Sequence, residues 1–377
     1  MAKIRGASSY GKYLEQNLDY GDYIAEENRV RGEWFGDLAS KFGLEGKTAT
    51  TEDERFRNLV DGMNPNDGGK LTQRERSKED ADKAVRIYDF QCSAQKSVSI
   101  MALTLGDTRL LEAHDRAVKM ALGELQKFAA VRVRAGDAAW TNESRLTGRL
   151  CGAMFRHESS RALDPQLHTH CAVFNVTWDE ERQGFFALET AEMLRAIRFG
   201  GKLYQSEMAR ACLSLGYEIE LAVSPKGTID GFEIKGVSPA IRRRFSKRTD
   251  ALDEEKRKFR EGHGKPPTAQ ELERLRGWFR DVARTDAQLS QGWEHGFGRE
   301  PTRVEIDLMA HDSRAQKDPE TIEKAKVHAH QLAQLDEQEQ QALTALRANA
   351  ERNEQNKSQV ISLAAVATQA ISAAGAH

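Results

Sequence analysis

Two apolar stretches joined by a short polar turn limit most strongly what this 377-residue chain can fold into. The stretches "RLTGRLCGAMFRHES" and "QLHTHCAVFNVTWDE" both have strand character, and the intervening "SSRALDP" has the residues of a turn. Strands joined by so short a connection pair in the antiparallel direction, because a parallel return needs a crossover of a dozen or more residues. We therefore expect an antiparallel hairpin from this part of the chain.

Helices and further strands are predicted on both sides of the hairpin. Apolar residues recur at helical spacing over 107–132, where Asp107 is a suitable N-cap, and in "RAIRFGGKLYQSEMARACLSLGY", which ends near Gly216. Strands are expected around 86–92, after the turn in "DEERQGFFAL" and in "YEIELAVSPKGTIDGFEI". The first 300 residues therefore combine strands with helices.

The composition changes beyond Phe297. No Phe, Trp or Tyr follows, and from Thr321 the chain is rich in Ala, Gln, Glu and Leu, which form helices but offer few bulky anchors. We expect one domain over 1–300 and a helical C-terminal extension over 301–377. The last apolar stretch, "SQVISLAAVATQAISAAGA", is interrupted by Ser and Gln, so an amphipathic helix is preferred to a membrane anchor.

The remaining bulk features exclude several classes of protein. The chain has no run of eighteen apolar residues, so no ordinary transmembrane helix is predicted. The N-terminus lacks the apolar region of a secretory signal. The four cysteines form no CxxC pair, which is typical of reduced thiols in a cytoplasm. The motif GxxxxGK[ST] does not occur in the chain, so no P-loop motor is predicted.

Three histidines within fourteen positions carry the clearest chemical signal. His168 and His170 are two apart in a predicted strand, so their side chains point to the same face. His157 ends the preceding strand, and an antiparallel return would bring it beside the pair. Each histidine alone would be interpreted as a hydrogen-bonded core residue. Three together predict a metal site whose neutral imidazoles leave positions open for water or substrate.

Asp89 is a candidate partner for these histidines. It lies among apolar residues of a predicted strand, in "IYDFQCS", where a carboxylate needs a partner. A metal-bound histidine usually donates its second ring N–H to such a group. Asp89 could therefore orient a ligand or act as a base, but a strand-end residue facing solvent is an equal alternative from the sequence alone.

A cluster of tyrosines near the N-terminus suggests the nucleophile. Tyr10, Tyr13, Tyr20 and Tyr23 are four of the seven tyrosines in the chain. A phenol of pKa about 10 is a weak nucleophile at neutral pH, but it can attack phosphorus when a metal polarises the phosphate. Tyrosines together with an open three-histidine site therefore predict DNA strand transfer through a phosphotyrosine ester.

A basic segment, 242–260, is a candidate DNA-binding surface. It carries nine Lys or Arg residues against four Asp or Glu residues. Contact with the DNA backbone is predicted for its first part, Arg242, Arg243, Arg244, Lys247 and Arg248. Charge alone favours the alternative, a solvated amphipathic helix with ion pairs between successive turns.

Several motifs closely resemble the relaxase domain of conjugative relaxases of the TraI/TrwC type, the MobF family. They are "YDFQCSAQKSVSI", "HDRAVKMAL", "LTGRLCGAMFRHESSRALDPQLHTHCAVFNVT" and "FSKRT", and the resemblance covers roughly residues 7–250. It implies an HUH-type endonuclease of α+β class, with an antiparallel sheet as palm, flanking helices and a mobile C-terminal part that closes over single-stranded DNA. Such an enzyme nicks one strand at the origin of transfer and stays joined to the 5′ phosphate.

The resemblance also implies residue roles, cofactor and partners. His157, His168 and His170 would ligate one divalent ion, Mg or Mn, with Zn or Ni as alternatives, and Asp89 would take the place of the carboxylate beside the metal. Accessory DNA-binding proteins and the coupling proteins of a type IV secretion system would be partners in a bacterial cytoplasm. Gln95 departs from the family by replacing a proline.

The nucleophile assignment is less direct, because the family often carries tyrosine doublets and this chain spreads them. "ASSY" best matches the segment before the first nucleophile, which favours Tyr10. "DYIAE" followed by "GEWFG" best matches the second pair, which favours Tyr23. Tyr13 and Tyr20 are the alternatives.

Three other functions compete with the relaxase. A rolling-circle replication initiator would use the same chemistry in another context. A DNA-binding relic without nuclease activity is disfavoured by the intact set of histidines, aspartate and tyrosines. An unrelated three-histidine hydrolase would need no tyrosine.

Overall fold

The structure is a computed structural model and describes residues 2–5, 32–51, 53–71, 84–135, 139–160, 164–224, 227, 229–268, 271 and 319–374. The N-terminal segment that carries Tyr10, Tyr13, Tyr20 and Tyr23 lies outside these residues. None of the helices in these ranges is long and apolar enough to cross a membrane.

The described strands include a long central pair and several short ones. They are β1 (Ala2–Arg5), β2 (Gly32–Phe35), β3 (Thr48–Ala49), β4 (Val85–Ser93), β5 (Ala130–Ala135), β6 (Ala139–Leu146), β7 (Gly152–Ser159), β8 (Pro165–Phe174), β9 (Thr177–Asp179), β10 (Gly184–Phe186), β11 (Ile219–Val223) and β12 (Ile229–Ile234).

The described helices fall before, between and after these strands. They are α1 (Asp37–Lys41), α2 (Glu54–Asp61), α3 (Lys96–Ser99, followed by a π-helical turn over Ile100–Thr104), α4 (Thr108–Gln126), α5 (Ala191–Ser214), α6 (Pro239–Arg244), α7 (Lys247–His263), α8 (Pro319–Leu332) and α9 (Glu337–Ala374).

A six-stranded antiparallel sheet in the order β1-β4-β8-β7-β2-β3 forms the centre of the fold. The predicted hairpin is its β7–β8 pair, and β4 lies on the other side of β8. The hairpins β9–β10, β11–β12 and β5–β6 form separate two-stranded sheets. The predicted α+β class is therefore confirmed.

Each face of the sheet buries its own core, because successive side chains of a strand point to opposite faces. On one face Phe90, Cys171 and Val173 pack with apolar residues of α4 and α5. On the other face Phe155 and Phe174 pack with apolar residues of α1 and α2. Both faces of β8 are buried, which agrees with the apolar run over 171–174 at its end.

The helix predicted over 107–132 is shorter than expected. Asp107 does cap it, because its carboxylate accepts the N–H of Arg109, but α4 ends at Gln126. Residues 130–135 form β5, paired with β6. The alternation of valine and arginine in "AVRVRA" is a strand pattern, and it overrides the helical spacing that precedes it.

Helices α8 and α9 pack against the same core as α4 and α5. Leu335, Leu343 and Ala350 are buried in that core. The hydroxyl of Thr104 is 3.2 Å from the amide oxygen of Gln331, across 227 residues of sequence. A helical extension is therefore present over 319–374. The division of domains at residue 300 stays a prediction, since 272–318 are outside the described residues.

Candidate metal centre

The pairing of β7 with β8 brings the three predicted histidines together. His157 lies directly opposite His168, and Phe155 lies opposite His170. All three histidines are buried and share the face of Phe155 and Phe174. Cys171 lies in the core on the opposite face, as expected from strand alternation.

The three imidazole rings are evenly spaced. Their centroids are 5.1 Å apart for His157 and His168, 5.1 Å for His157 and His170, and 5.3 Å for His168 and His170. With metal–nitrogen bonds of about 2.0–2.1 Å, tetrahedral ligation places imidazole centroids roughly 5 Å apart. The backbone therefore sets the spacing that one shared ion requires.

Hydrogen bonds fix the orientation of two of the rings. His168 Nδ1 is 2.8 Å from the carbonyl oxygen of Gln166, so it must be the donor. His170 Nδ1 is 2.8 Å from Oδ2 of Asp89, and both side chains are almost fully buried. In the neutral ring a protonated Nδ1 leaves the lone pair on Nε2. Both rings thus present Nε2 as the ligating nitrogen.

The contact between Asp89 and His170 decides between the alternatives that the sequence left open. Asp89 is buried and faces the histidines rather than solvent. It comes from β4, where Gln91 is the residue opposite His170. Its role in the reaction remains a proposal.

His157 is the unusual member of the set. Neither of its ring nitrogens has a hydrogen-bond partner, although both are buried. Burial, with His168 and His170 nearby, lowers the pKa of His157 well below its usual value. Burial also lowers the pKa of His168 to about 4. These two rings are therefore neutral at pH 7, which is the form that binds a metal.

The three histidines suit a divalent ion, but their ring nitrogens are not yet arranged around a common point. Among the described residues, no three His, Cys, Asp or Glu side chains are already closed around one point as metal ligands. The spacing of the rings and the unsatisfied nitrogens of His157 favour a bound ion, so the ring nitrogens would turn toward a common point when it binds.

A fourth buried histidine, His114, supports β8 from the opposite face of the sheet. In α4, His114 Nδ1 is 2.7 Å from the Tyr204 hydroxyl of α5, and Nε2 is 2.8 Å from the hydroxyl of Thr169 in β8. Thr169 lies between His168 and His170. This contact could not be predicted from the sequence, because a single histidine in a helix gives no local signal of its partners.

A cavity of about 240 Å³ lies beside the ends of the β7–β8 turn. Its lining residues are Ser160 and Asp164 at the ends of the turn, Gln166 of β8, Lys96, and Phe245, Ser246, Thr249 and Leu252 around the beginning of α7. The sequence contains no local signal for a cavity at these residues.

The predicted DNA-binding cations lie at α6 and the beginning of α7, and most are engaged within the protein. Arg243 pairs with Asp250 at 2.6 Å, Arg244 pairs with Glu339 and donates to the carbonyl of Gln334 at 2.9 Å, and the Nζ of Lys247 is 3.5 Å from Asp164. Arg242 donates to the carbonyl of Val237 at 2.8 Å, and Arg248 belongs to α7. Helical structure and ion pairs agree with the solvated-helix alternative. Contact with DNA stays a prediction.

Comparison with known proteins decides the family. Residues 7–337, most of the chain, match the TrwC relaxase family. The chain belongs to the TrwC relaxase family. The resemblance inferred from the sequence motifs is thereby confirmed, and a rolling-circle initiator is not favoured.

Two curated relatives from Escherichia coli are multifunctional conjugation proteins TraI. One is 34% identical over 259 residues, which are 67% of this chain, and the other, from strain K12, is 34% identical over 229 residues. The matched part is 14% and 12% of the length of these relatives. The chain thus corresponds to a small part of each.

Solved structures of the conjugative relaxase TrwC share the fold. A metal-bound complex of TrwC with oriT DNA superposes with a TM-score of 0.60 and 27% identity over 77% of this chain and 96% of that one. TrwC with a 27-mer DNA comprising the recognition hairpin and the cleavage site gives 0.57 and 25% identity over 88% and 97%. The predicted relaxase fold is confirmed.

Proposed function

We propose that this chain is a DNA strand transferase that nicks one strand of single-stranded DNA at a plasmid origin of transfer and remains joined to the 5′ phosphate. The observation that carries the proposal is the group of three buried imidazoles, in which both nitrogens of His157 lack a partner. Membership of the TrwC relaxase family supports it, as does the likeness to TrwC solved with oriT DNA.

A single divalent ion would be held by Nε2 of His168, Nε2 of His170 and a ring nitrogen of His157. Mg²⁺ or Mn²⁺ is proposed first, and Zn²⁺ or Ni²⁺, which suit imidazole ligands, are the alternatives. When bound, the ion would polarise the phosphate and stabilise the charge that develops on its oxygens. Asp89 would keep His170 in the tautomer that ligates through Nε2.

The chemical step is a transesterification. The tyrosine oxygen forms a bond to phosphorus, the bond from phosphorus to the 3′ oxygen breaks, and the phenolic proton passes to a base or to water. Reversal of the same step rejoins the strand. Tyr10 is proposed as the first nucleophile and Tyr23 as the second, with Tyr13 and Tyr20 as alternatives. All four lie outside the described residues, so this assignment rests on the sequence.

The test is a covalent-adduct assay. The protein is incubated with a labelled oligonucleotide that spans its candidate origin, with and without Mn²⁺, and the adduct is mapped by peptide analysis. Tyr10→Phe is expected to abolish the adduct and retain DNA binding, because only one hydroxyl is lost. Tyr23→Phe is expected to keep first cleavage and impair a second transfer.

The metal site is tested in the same assay. His168→Ala/His170→Ala should abolish nicking and retain DNA binding. His263→Ala, at the exposed end of α7, is the matched control and should nick normally. Undiminished nicking by the double variant would remove the metal site from the mechanism, and the lack of any adduct on a verified target strand would refute the relaxase function.

The proposed cellular context follows from the activity. A relaxase of this type would act on single-stranded DNA in a bacterial cytoplasm, with accessory DNA-binding proteins and the coupling protein of a type IV secretion system as partners. A pull-down from cells that carry the transfer genes would test for these proteins.

A further inference from the structure

The first residues of β8, which lead into His168, are held by groups outside the hairpin. Lys96 Nζ donates to the carbonyl of Pro165 at 2.9 Å. The N–H of Leu167 donates to the hydroxyl of Ser99 at 3.1 Å, and the carbonyl of Leu167 accepts from the N–H of Ala94. Helix α3 and the end of β4 thus fix the beginning of this strand.

The two residues that flank the turn before this strand, Ser160 and Asp164, are hydrogen-bonded as well. The ends of the turn are closed by the Ser160 N–H bond to the carbonyl of Asp164, 2.8 Å, and by the Asp164 N–H bond to the Ser160 hydroxyl, 3.2 Å. The buried carboxylate of Asp164 accepts the N–H of Lys247, at the beginning of α7, at 3.0 Å. The turn is therefore joined to α7.

The hydrogen bond from Lys96 lies one residue away from the backbone group that orients His168, a candidate metal ligand. The carbonyl that Lys96 holds belongs to Pro165, and the next carbonyl, that of Gln166, accepts the Nδ1 proton of His168. A shift of the segment between Pro165 and Gln166 would move that acceptor. The orientation of His168 therefore depends on the same segment that Lys96 holds.

The side chain of Lys96 is partly buried. Burial lowers its pKa, and the carboxylates of Asp164 and Glu233 oppose that shift. An amine retained in such a place, rather than an apolar residue, is consistent with a need for its hydrogen bond.

We propose that Lys96 is a positioning residue for His168, acting through the backbone between Pro165 and Gln166. The role rests on the proposed metal site. Loss of partners that orient metal ligands typically lowers metal affinity by about 10- to 100-fold. Lys96→Met keeps the length of the side chain and removes the donor, so it should weaken metal binding by about tenfold or more.

The experiment titrates Co²⁺ into the metal-free protein without DNA and follows the visible absorption of the bound ion. Lys96→Met should weaken binding and change the Co²⁺ spectrum, while Lys96→Arg, which keeps a cationic donor, should restore most of both. Lys258→Met is the matched control, because Lys258 pairs with Glu255 on the exposed side of α7. It should leave affinity and spectrum unchanged.

Ser99→Ala provides a second variant, because it removes the other side-chain bond to the beginning of β8. It should also weaken Co²⁺ binding, and it keeps the proposal testable if Lys96→Met does not fold. Unchanged Co²⁺ affinity and spectrum in the folded variants, or equal loss in Lys96→Met and Lys258→Met, would overturn the role of Lys96. Failure of the parent protein to bind Co²⁺, or full binding by His168→Ala, would instead refute the proposed metal site.

Discussion

Replacing His114 with leucine should destabilise the protein strongly, although His114 touches neither the surface nor the candidate ligands. The ring is fully buried and bonded on both sides, to Tyr204 at 2.7 Å and to Thr169 at 2.8 Å. Leucine fills a similar volume but leaves both hydroxyls without their partner. The hydroxyls are themselves buried, so water does not replace the lost bonds.

The magnitude follows from the two orphaned groups. Each buried polar group left unsatisfied costs about 1–3 kcal/mol, so the expected loss in the free energy of unfolding is about 2–6 kcal/mol. Replacing all members by apolar groups of similar shape is far less harmful. The triple variant His114→Leu/Tyr204→Phe/Thr169→Val should therefore recover most of the loss.

The assay is urea unfolding at pH 7.5, followed by far-UV circular dichroism, for the parent, the single variant and the triple variant. A common slope against urea would show that stability rather than the unfolded state has changed. A single variant within about 0.5 kcal/mol of the parent, or a triple variant less stable than the single one, would refute the reasoning.

The same histidine makes stability depend on pH. Burial, followed by the nearby Arg156 and His168, lowers the pKa of His114 to about 3 in the folded protein, against about 6.5 for histidine in an unfolded chain. Between these values the unfolded chain binds more protons. The contribution of His114 is thus complete above pH about 6.5 and is lost as pH falls toward 3, by at most about 5 kcal/mol. The His114→Leu variant should show a flatter decline.

Three further predictions concern the metal site, the C-terminal helix and the basic segment. Asp89→Leu should weaken Mn²⁺ binding about 10- to 100-fold in calorimetric titration, with Asp89→Asn between it and the parent; equal affinities would contradict the contact. Gly216 has a φ of 86° and a Cβ there would lie 2.1 Å from the carbonyl of Ala350, so Gly216→Ala should loosen α9, detected by proteolysis within it. Gly201→Ala, in α5 with open space around it, should be neutral or slightly stabilising. Arg243→Gln should reduce the salt dependence of single-stranded DNA binding by about 0.7 in log–log slope; an unchanged slope would indicate a solvated helix.

The histidine cluster could be predicted from the sequence because it depends only on local order. A short turn between two strands and a spacing of two residues are sufficient to bring His157, His168 and His170 to one face. The hairpin contains the whole set, so no long-range packing had to be known.

Local order did not decide the partners of this cluster, and Asp89 was only one of two equal alternatives, a partner of the histidines or a residue facing solvent. Asp89 reaches His170 from a strand 81 residues earlier in the chain, and the register between the two strands is set by the whole sheet. His114 and Lys96 act through α4 and α3, whose positions depend on tertiary packing. The strand at 130–135, in contrast, could have been predicted from the sequence, because the alternation of valine and arginine is a local strand pattern.

The attachment of α9 also bears on how the protein is made. Arg109 at the beginning of α4 forms an ion pair with Glu354, across 245 residues of sequence. At a synthesis rate of about 5–20 residues per second, that partner emerges roughly 12–50 s after Arg109. During this interval the apolar groups that α9 covers in the folded protein are exposed on the nascent chain. Chaperones that bind nascent apolar segments should therefore engage these groups until α9 has been synthesised.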